Sequence, residues 1–415
     1  MDPEREEPAA RPHRPPSALL HHRSFALYWF SRILSVGAFQ ILSVAIGWQL
    51  YTLTGSALDL GLVGLVQFVT MILLTLVVGH VADRYDRRVI ISVCRVVSAI
   101  AAAALALGTL GGWLTTGRIL GIVALVGAAR AFEGPTMSAL LPGLVPRPMV
   151  PRAMAWSVSA NQAARIGGPA LGGLLYLLGG SAVYVAAGAL FLVASVLAAL
   201  IGRSGTVRPR EDFTVESFFS GVVYIRNTRV LLGMMSLDLF AVLLGGATAL
   251  LPIFARDVLD TGPAGLGLLR SAPAIGALVT SIVLARYPPE RQIGRAMFRS
   301  VIVFGAATVV FGLSTNLVLS LVALAILGAS DVISVVIRVS LVQMRTPDAM
   351  RGRVSAVHSL FTGTSNQLGE FESGVTAALF GAVPAVLIGG IGTILIATLW
   401  MILFPELRRA GMLER

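Results

Sequence analysis

The 415-residue chain is 56% hydrophobic and only 13% charged, with a net charge of +11. Soluble domains carry about a quarter charged residues, so this chain has too little polar surface to face water on every side. All 32 basic residues are arginine, and a single cysteine, Cys94, excludes an internal disulfide and a cysteine metal cluster.

Residues 1–24 are rich in Pro, Arg and His and lack an apolar core, so they read as a cytoplasmic tail and not as a signal peptide. His13, His21 and His22 fall in that tail and are not taken as metal ligands. Apolar runs follow at 25–50, 60–78, 89–110, 119–141, 153–178 and 182–201. A polar linker occupies 202–229 and holds Arg203, Arg208, Arg210, Arg226 and Arg229. Within it, FTVESFFSGVVYIRN places apolar residues at helical spacing and predicts an amphipathic helix on the membrane surface. Six more runs follow at 230–254, 265–286, 297–313, 317–341, 354–379 and 383–404, then a tail at 405–415. Runs of this length predict membrane-crossing helices, which satisfy their backbone hydrogen bonds internally. The expected fold is all-α, with twelve transmembrane helices in two six-helix halves, 25–201 and 230–404. Short connections such as GG at 179–180 and STN at 314–316 force neighbouring helices antiparallel.

Arginine is distributed unevenly. Both tails and alternate connections hold nearly all of it, whereas the opposite set of loops carries only Arg118 and Arg256. Positive charge is retained in the cytoplasm, which predicts cytoplasmic termini and makes nucleic acid an unneeded explanation for the basic charge. The halves also repeat. Pro146, Met149, Arg152, Ala155 and Gly168 each recur 201 residues later, as Pro347, Met350, Arg353, Ala356 and Gly369. Gly127 and Ala128 recur as Gly328 and Ala329, and Gly64 and Ala82 as Gly267 and Ala285 at a shift of 203. Parallel halves around a central site are a transporter plan.

Between the second and third spans lies GHVADRYDRR, residues 79–88. It resembles the G-x-x-x-D-R-x-G-R-R signature of the major facilitator superfamily, matched by Gly79, Asp83, Arg84, Arg87 and Arg88. Asp86 stands where the pattern has glycine. The resemblance implies that this knot latches the halves on the cytoplasmic side when the carrier opens outward. RAFEG at 130–134 resembles the R-x-x-Q-G motif of proton-coupled members, with Glu133 in place of the usual Gln. GPALGG at 168–173 is similar to the end of the antiporter motif through Gly168, Pro169, Gly172 and Gly173, although Ala155 and Ala164 stand where it has two earlier glycines. In the second half, LLGGATALLPIFARDVL (243–259) and RTPDAMRGRVSAV (345–357) resemble the branch of enterobactin exporters and macrolide efflux proteins.

Charge within a membrane span is functional by default. Arg130 and Glu133 lie one turn apart and are expected to pair. The 201-residue shift maps Arg130 onto Asp331, which places opposite charges across the cavity. Arg130, Glu133, Asp238, Asp331 and Glu370 are the candidate proton-coupling residues. Arg165, Arg338 and Glu372 also fall within spans, and Arg32 and Arg270 are expected to snorkel towards helix ends. Gln40, Trp48, Gln67, Phe240 and Asn366 are candidate walls of the substrate cavity. No Ser/His/Asp set or metal-ligand cluster is present, so catalysis, a metal and a cofactor are not expected. The resemblance implies a monomeric carrier in a bacterial inner membrane that works by alternating access. Its partners are protons, the bilayer and small amphiphilic molecules such as drugs or a siderophore. A lipid flippase and an uncoupled facilitator are the alternatives.

Overall fold

In a computed structural model of the chain, residues 19–202, 215–287 and 292–409 are described. The expected tail at 1–24 therefore lies mostly outside the described residues, as does the first part of the linker. The first half contains α1 (Arg23–Thr54), α2 (Ala57–Arg84), α3 (Arg87–Leu110), α4 (Thr116–Leu140), α5 (Val150–Leu175) and α6 (Gly180–Ala199). The linker helix α7 (Val215–Asn227) leads into α8 (Arg229–Leu244), the three-residue α9 (Leu251–Ile253), α10 (Gly262–Arg286), α11 (Ile293–Leu313), α12 (Leu317–Arg345), α13 (Asp348–Phe380), α14 (Ala382–Leu403) and the short α15 (Pro405–Arg408). No strand occurs among the described residues.

Local chemistry sets the reversals. Gly55 caps α1 in the left-handed conformation at φ 62°, and Ser56 opens α2 by accepting a hydrogen bond from Asp59 N. Asn316 opens α12 by accepting from Val318 N and Leu319 N. At 32 residues, α1 is about 48 Å long, ample for a hydrocarbon core of about 30 Å. The seventh span is broken. It runs as α8, a 3₁₀ turn at Ala247–Leu250, α9 and a π-helical turn at Phe254–Val258.

Ten helical segments among the described residues are long and apolar enough to cross a bilayer. The other two long helices, α5 and α13, are more polar because they carry the side chains that line the interior, Arg165 and Glu370 among them. Large apolar side chains face outward, such as Leu178 and Ile402 at 76% and 71% exposure. Water would not tolerate so extensive an apolar surface; lipid solvates it.

Packing distinguishes the two ends of the molecule. At the end away from the arginine-rich connections, one apolar core joins Leu42, Leu50 and Tyr184 of the first half with Leu250, Phe254, Leu266 and Phe311 of the second. At the arginine-rich end the core divides. One part, with Phe25, Tyr28 and Met137, belongs to the first half. The other, with Leu231, Met297 and Leu341, belongs to the second and includes Ile225 of α7. The halves therefore close on each other at one end and part at the other. Helix α7 docks flat on α13, where a Cβ on Gly221 would stand 3.1 Å from Arg353 O, and it leaves Phe219 and Val223 exposed.

Two glycine crossings make the closed end. A Cβ on Gly173 of α5 would lie 2.4 Å from Pro263 O and 3.0 Å from Gly267 Cα of α10. A Cβ on Gly374 of α13 would lie 2.5 Å from Gly61 Cα of α2. The 201-residue shift takes Gly173 to Gly374, so the two crossings are copies of one contact. Backbones approach this closely only where no side chain intervenes.

Candidate functional site

A cavity of about 330 Å³ lies between the halves. Gln40 of α1, Gln67 of α2 and Arg165 of α5 line it from the first half. Thr248, Arg270 of α10 and Glu370 of α13 line it from the second. Arg270 Nη1 donates to Ser43 Oγ of the first half at 2.7 Å. Arg270 therefore turns into the cavity instead of snorkelling outward. Arg32 does not snorkel either: it donates to Tyr28 OH at 2.9 Å, and its Nε is buried. Of the five expected wall residues, Gln40 and Gln67 reach the cavity. Trp48 lies off it and packs edge-on against Tyr176 at 6.4 Å. Phe240 packs on Trp400 at 5.4 Å, and Asn366 is exposed and donates to Thr362 O. Aromatic side chains at these positions are used for helix packing.

Two charge clusters flank the cavity, about two to four turns from the arginine-rich end of their helices. In the first half the expected Arg130–Glu133 pair does not form. Glu133 Oε1 instead accepts from Arg95 Nε at 2.9 Å and from Ser35 Oγ at 2.7 Å. Arg95 is fully buried, at 0% exposure. It also donates to Ala194 O at 2.8 Å and to Ser31 Oγ, so its charge is neutralised and its donors are used. Arg130 lies over Phe39, with its guanidinium carbon 3.4 Å from the ring centroid, a cation–π contact. Helical spacing made the pair sterically available. The side chains on α1 and α3 decided which partner Glu133 took.

In the second half, Arg338 of α12 binds Asp238 of α8, and its Nη2 lies 3.9 Å from Asp331 Oδ1. Thr362 Oγ1 donates to Asp238 Oδ2 at 3.4 Å. The two acids thus share one guanidinium. Asp238 is 4% exposed and Asp331 47% exposed. A pocket of about 20 Å³ lined by Asp238, Asp331, Ser334 and Arg338 adjoins the pair, which is room for one water. Asp331 is therefore held by its own half's arginine, and Glu370 sits apart at the cavity wall.

The charge knot straddles a helix junction. Helix α2 continues to Arg84, so only Tyr85 and Asp86 lie between helices. Gly79 and the Asp83 side chain, expected members of the latch, lie outside the described residues. Arg84 is exposed. Asp86 caps α3 by accepting from Arg88 N at 3.0 Å and pairs with the Arg88 guanidinium at 2.5 Å. Its φ of −60° needs no glycine. Arg87 donates to Ala139 O at 3.0 Å and Arg88 to Ile201 O at 2.7 Å. Both acceptors belong to the first half, which fits an arginine-rich end whose halves have parted.

In the antiporter-like stretch, Gly168 and Gly172 seat α5 on α1 at Gln40 and Ile41, while Gly173 meets α10. At the closed end, Tyr51 OH donates to the Asp257 carboxylate, and Arg256 Nη1 donates to Tyr51 O at 3.3 Å. Arg256 and Asp257 sit on the π-helical turn.

Sequence reasoning missed Arg95, Arg256, Asp257 and the inward role of Arg270. Arg95 was the most legible of these. It stands eight residues into an uninterrupted helix, within VIISVCRVVSAI, too deep for a helix-end anchor.

The family model for transmembrane secretion effectors matches residues 15–412. The enterobactin exporter EntS of Citrobacter koseri is 27% identical over 398 residues, covering 95% of this chain and 94% of that one. A bacterial homologue of the lysosomal transporter Spinster, inward-facing and occupied, superposes with a TM-score of 0.73 at 13% identity, over 94% of this chain and 97% of that one. A bacterial homologue of ferroportin, inward-facing, gives 0.70 at 17% identity, over 94% and 99%. The span count, the paired halves and these matches agree: the chain is a multi-pass membrane transporter, not an enzyme, and belongs to the transmembrane secretion effector family of the major facilitator superfamily.

Proposed function

We propose that the chain exports small amphiphilic molecules in exchange for protons. It would sit in a bacterial inner membrane with both termini in the cytoplasm and work as a monomer. The observation that carries the coupling is Asp238 and Asp331 sharing Arg338. With both acids ionised the cluster holds one uncompensated negative charge, and one proton neutralises it. Asp331 is the member open to solvent, so it is the carrier, and Asp238 is its buried counterpart. Such acids titrate as a pair. In the first half Glu133 is held by Arg95, with Arg130 within electrostatic reach. Movement of α4 against α3 would change that balance. Glu370 at the cavity wall is the acid nearest bound substrate.

The divided core supports alternating access. The structure is open at the arginine-rich end, which the arginine asymmetry assigns to the cytoplasm. Closure there would bring the charge knot against the second half while the glycine crossings part.

The relatives' export of enterobactin makes it the first substrate to try, in proteoliposomes with and without an imposed pH gradient. Wild-type protein should accumulate substrate only with the gradient. Asp331→Asn should keep downhill exchange and lose its pH dependence. Full gradient-driven transport in Asp331→Asn, Asp238→Asn and Glu133→Gln alike would reject proton coupling and leave an uncoupled facilitator.

A further inference from the structure

The charge of the cavity exceeds what its own walls neutralise. Arg165 and Arg270 line it. Arg130 lies at its margin against Phe39, itself a lining residue. Arg130 and Arg165 are close enough to repel each other. Among the lining residues the one acid is Glu370, and it is beyond ion-pair distance of Arg270 while acting on it electrostatically. Glu133 is already taken by Arg95 and Ser35.

The partners of these arginines separate them from structural ones. Arg95 shows the structural pattern: fully buried, with a carboxylate, a hydroxyl and a carbonyl as acceptors. Among the described residues, Arg165 has neither a hydrogen-bond nor an ion-pair partner, and it is exposed to the open space between the halves. Arg270 uses one nitrogen on Ser43, while its Nε is buried without a partner. Arg130 has an aromatic face and, among the described residues, no hydrogen-bond acceptor. Unpaired cations in a partly dry cavity are destabilising. The same three become an asset when a ligand supplies the counter-charge, and guanidinium forks bind carboxylates and phosphates bidentately.

We propose that the molecule carried, on the transporter reading above, is an anionic amphiphile. Its acidic group lies between Arg165 and Arg270, and its apolar or aromatic body rests on Phe39, Leu42, Val63 and Val126. These four side chains line the same cavity. A volume of about 330 Å³ suits one small ligand. A cationic amphiphile would meet three arginines offset by Glu370 in the wall and by Asp331, which acts on Arg165 from beside the cavity.

The test is equilibrium binding to the purified full-length protein in a neutral detergent, with two dyes that share a tricyclic aromatic core. Fluorescein is anionic, and tetramethylrhodamine methyl ester is cationic. Wild-type protein should bind fluorescein more tightly. Arg165→Gln and Arg270→Gln should each weaken it about tenfold or more, the loss of one charge-assisted contact. Arg165→Lys should retain part of the affinity, and Arg165→Glu should turn the preference towards the cationic dye. Thermal melting of each variant checks folding, and the reversed preference of Arg165→Glu is a gain that misfolding does not produce. Displacement of fluorescein by phosphatidylglycerol but not by phosphatidylcholine identifies a lipid headgroup as the anion. Displacement by neither supports a soluble anion. Equal or tighter binding of the cationic dye, no fluorescein binding by the wild type, or unchanged affinity in both Gln variants would overturn the proposal. The measurement uses no gradient, so a failure of proton coupling leaves its result intact.

Discussion

Adding a side chain at Gly173 should force the closed end open. The added Cβ would stand 2.4 Å from Pro263 O and 3.0 Å from Gly267 Cα. Ordinary contact between such atoms needs about 3.5 Å, so α5 and α10 must separate by about 1 Å. All three nearest atoms belong to α10, in the other half. The clash therefore burdens the state in which this end is closed and spares the packing within the first half. Overpacking costs about 1–3 kcal/mol, which shifts a two-state equilibrium by about 5- to 150-fold. Gly173→Val should thus move the population towards the state open at this end. Spin labels at Thr115→Cys and Thr315→Cys, both exposed at that end, report it in a Cys94→Ala background. Pulsed dipolar spectroscopy should show a longer distance in Gly173→Val than in the unsubstituted background. Gly374→Val should act alike, because its added Cβ would lie 2.5 Å from Gly61 Cα. Gly117→Val is the control, since nothing stands within 4 Å of its added Cβ. Unchanged distances in both Gly173→Val and Gly374→Val would refute the reasoning.

Two stability predictions follow from the charge clusters. Arg95→Leu leaves Glu133 without its cation and should cost about 3–5 kcal/mol, whereas Ser35→Ala removes one hydrogen bond and should cost about 1 kcal/mol; comparable thermal melting of both variants in detergent would contradict the assigned pairing. Arg338→Met strips the shared cation from Asp238 and Asp331, and adding Asp238→Asn should recover part of the lost stability. A double-mutant cycle should then give a coupling above about 1 kcal/mol, and additive losses would show that the two side chains do not act as a pair.

Much of this protein was decided before any tertiary contact. A chain that is 56% hydrophobic must put apolar side chains towards lipid, and runs of about 20 such residues admit only helices there. Span number was legible for that reason, and the two halves were legible from the 201-residue repeat. The apolar runs also placed Arg130, Glu133, Asp238 and Asp331 within spans, and the structure carries them on α4, α8 and α12. The runs did not say which charges meet. Spacing on α4 offered Glu133 to Arg130, but Arg95 on α3 and Ser35 on α1 took it. The repeat offered Asp331 to Arg130, and Arg338 on the same helix as Asp331 lay nearer. The depth of Arg95 in α3 marked it as a buried charge, but its partners Glu133, Ser31 and Ala194 lie on other helices. The closed end rests on Gly173 and Gly374, and its polar clasp on Tyr51, Arg256 and Asp257. Each joins residues far apart in the chain. Sequence spacing fixes neighbours along a helix, within one or two turns. Partners on different helices depend on helix rotation and on how closely the backbones approach, and only the packed structure sets those.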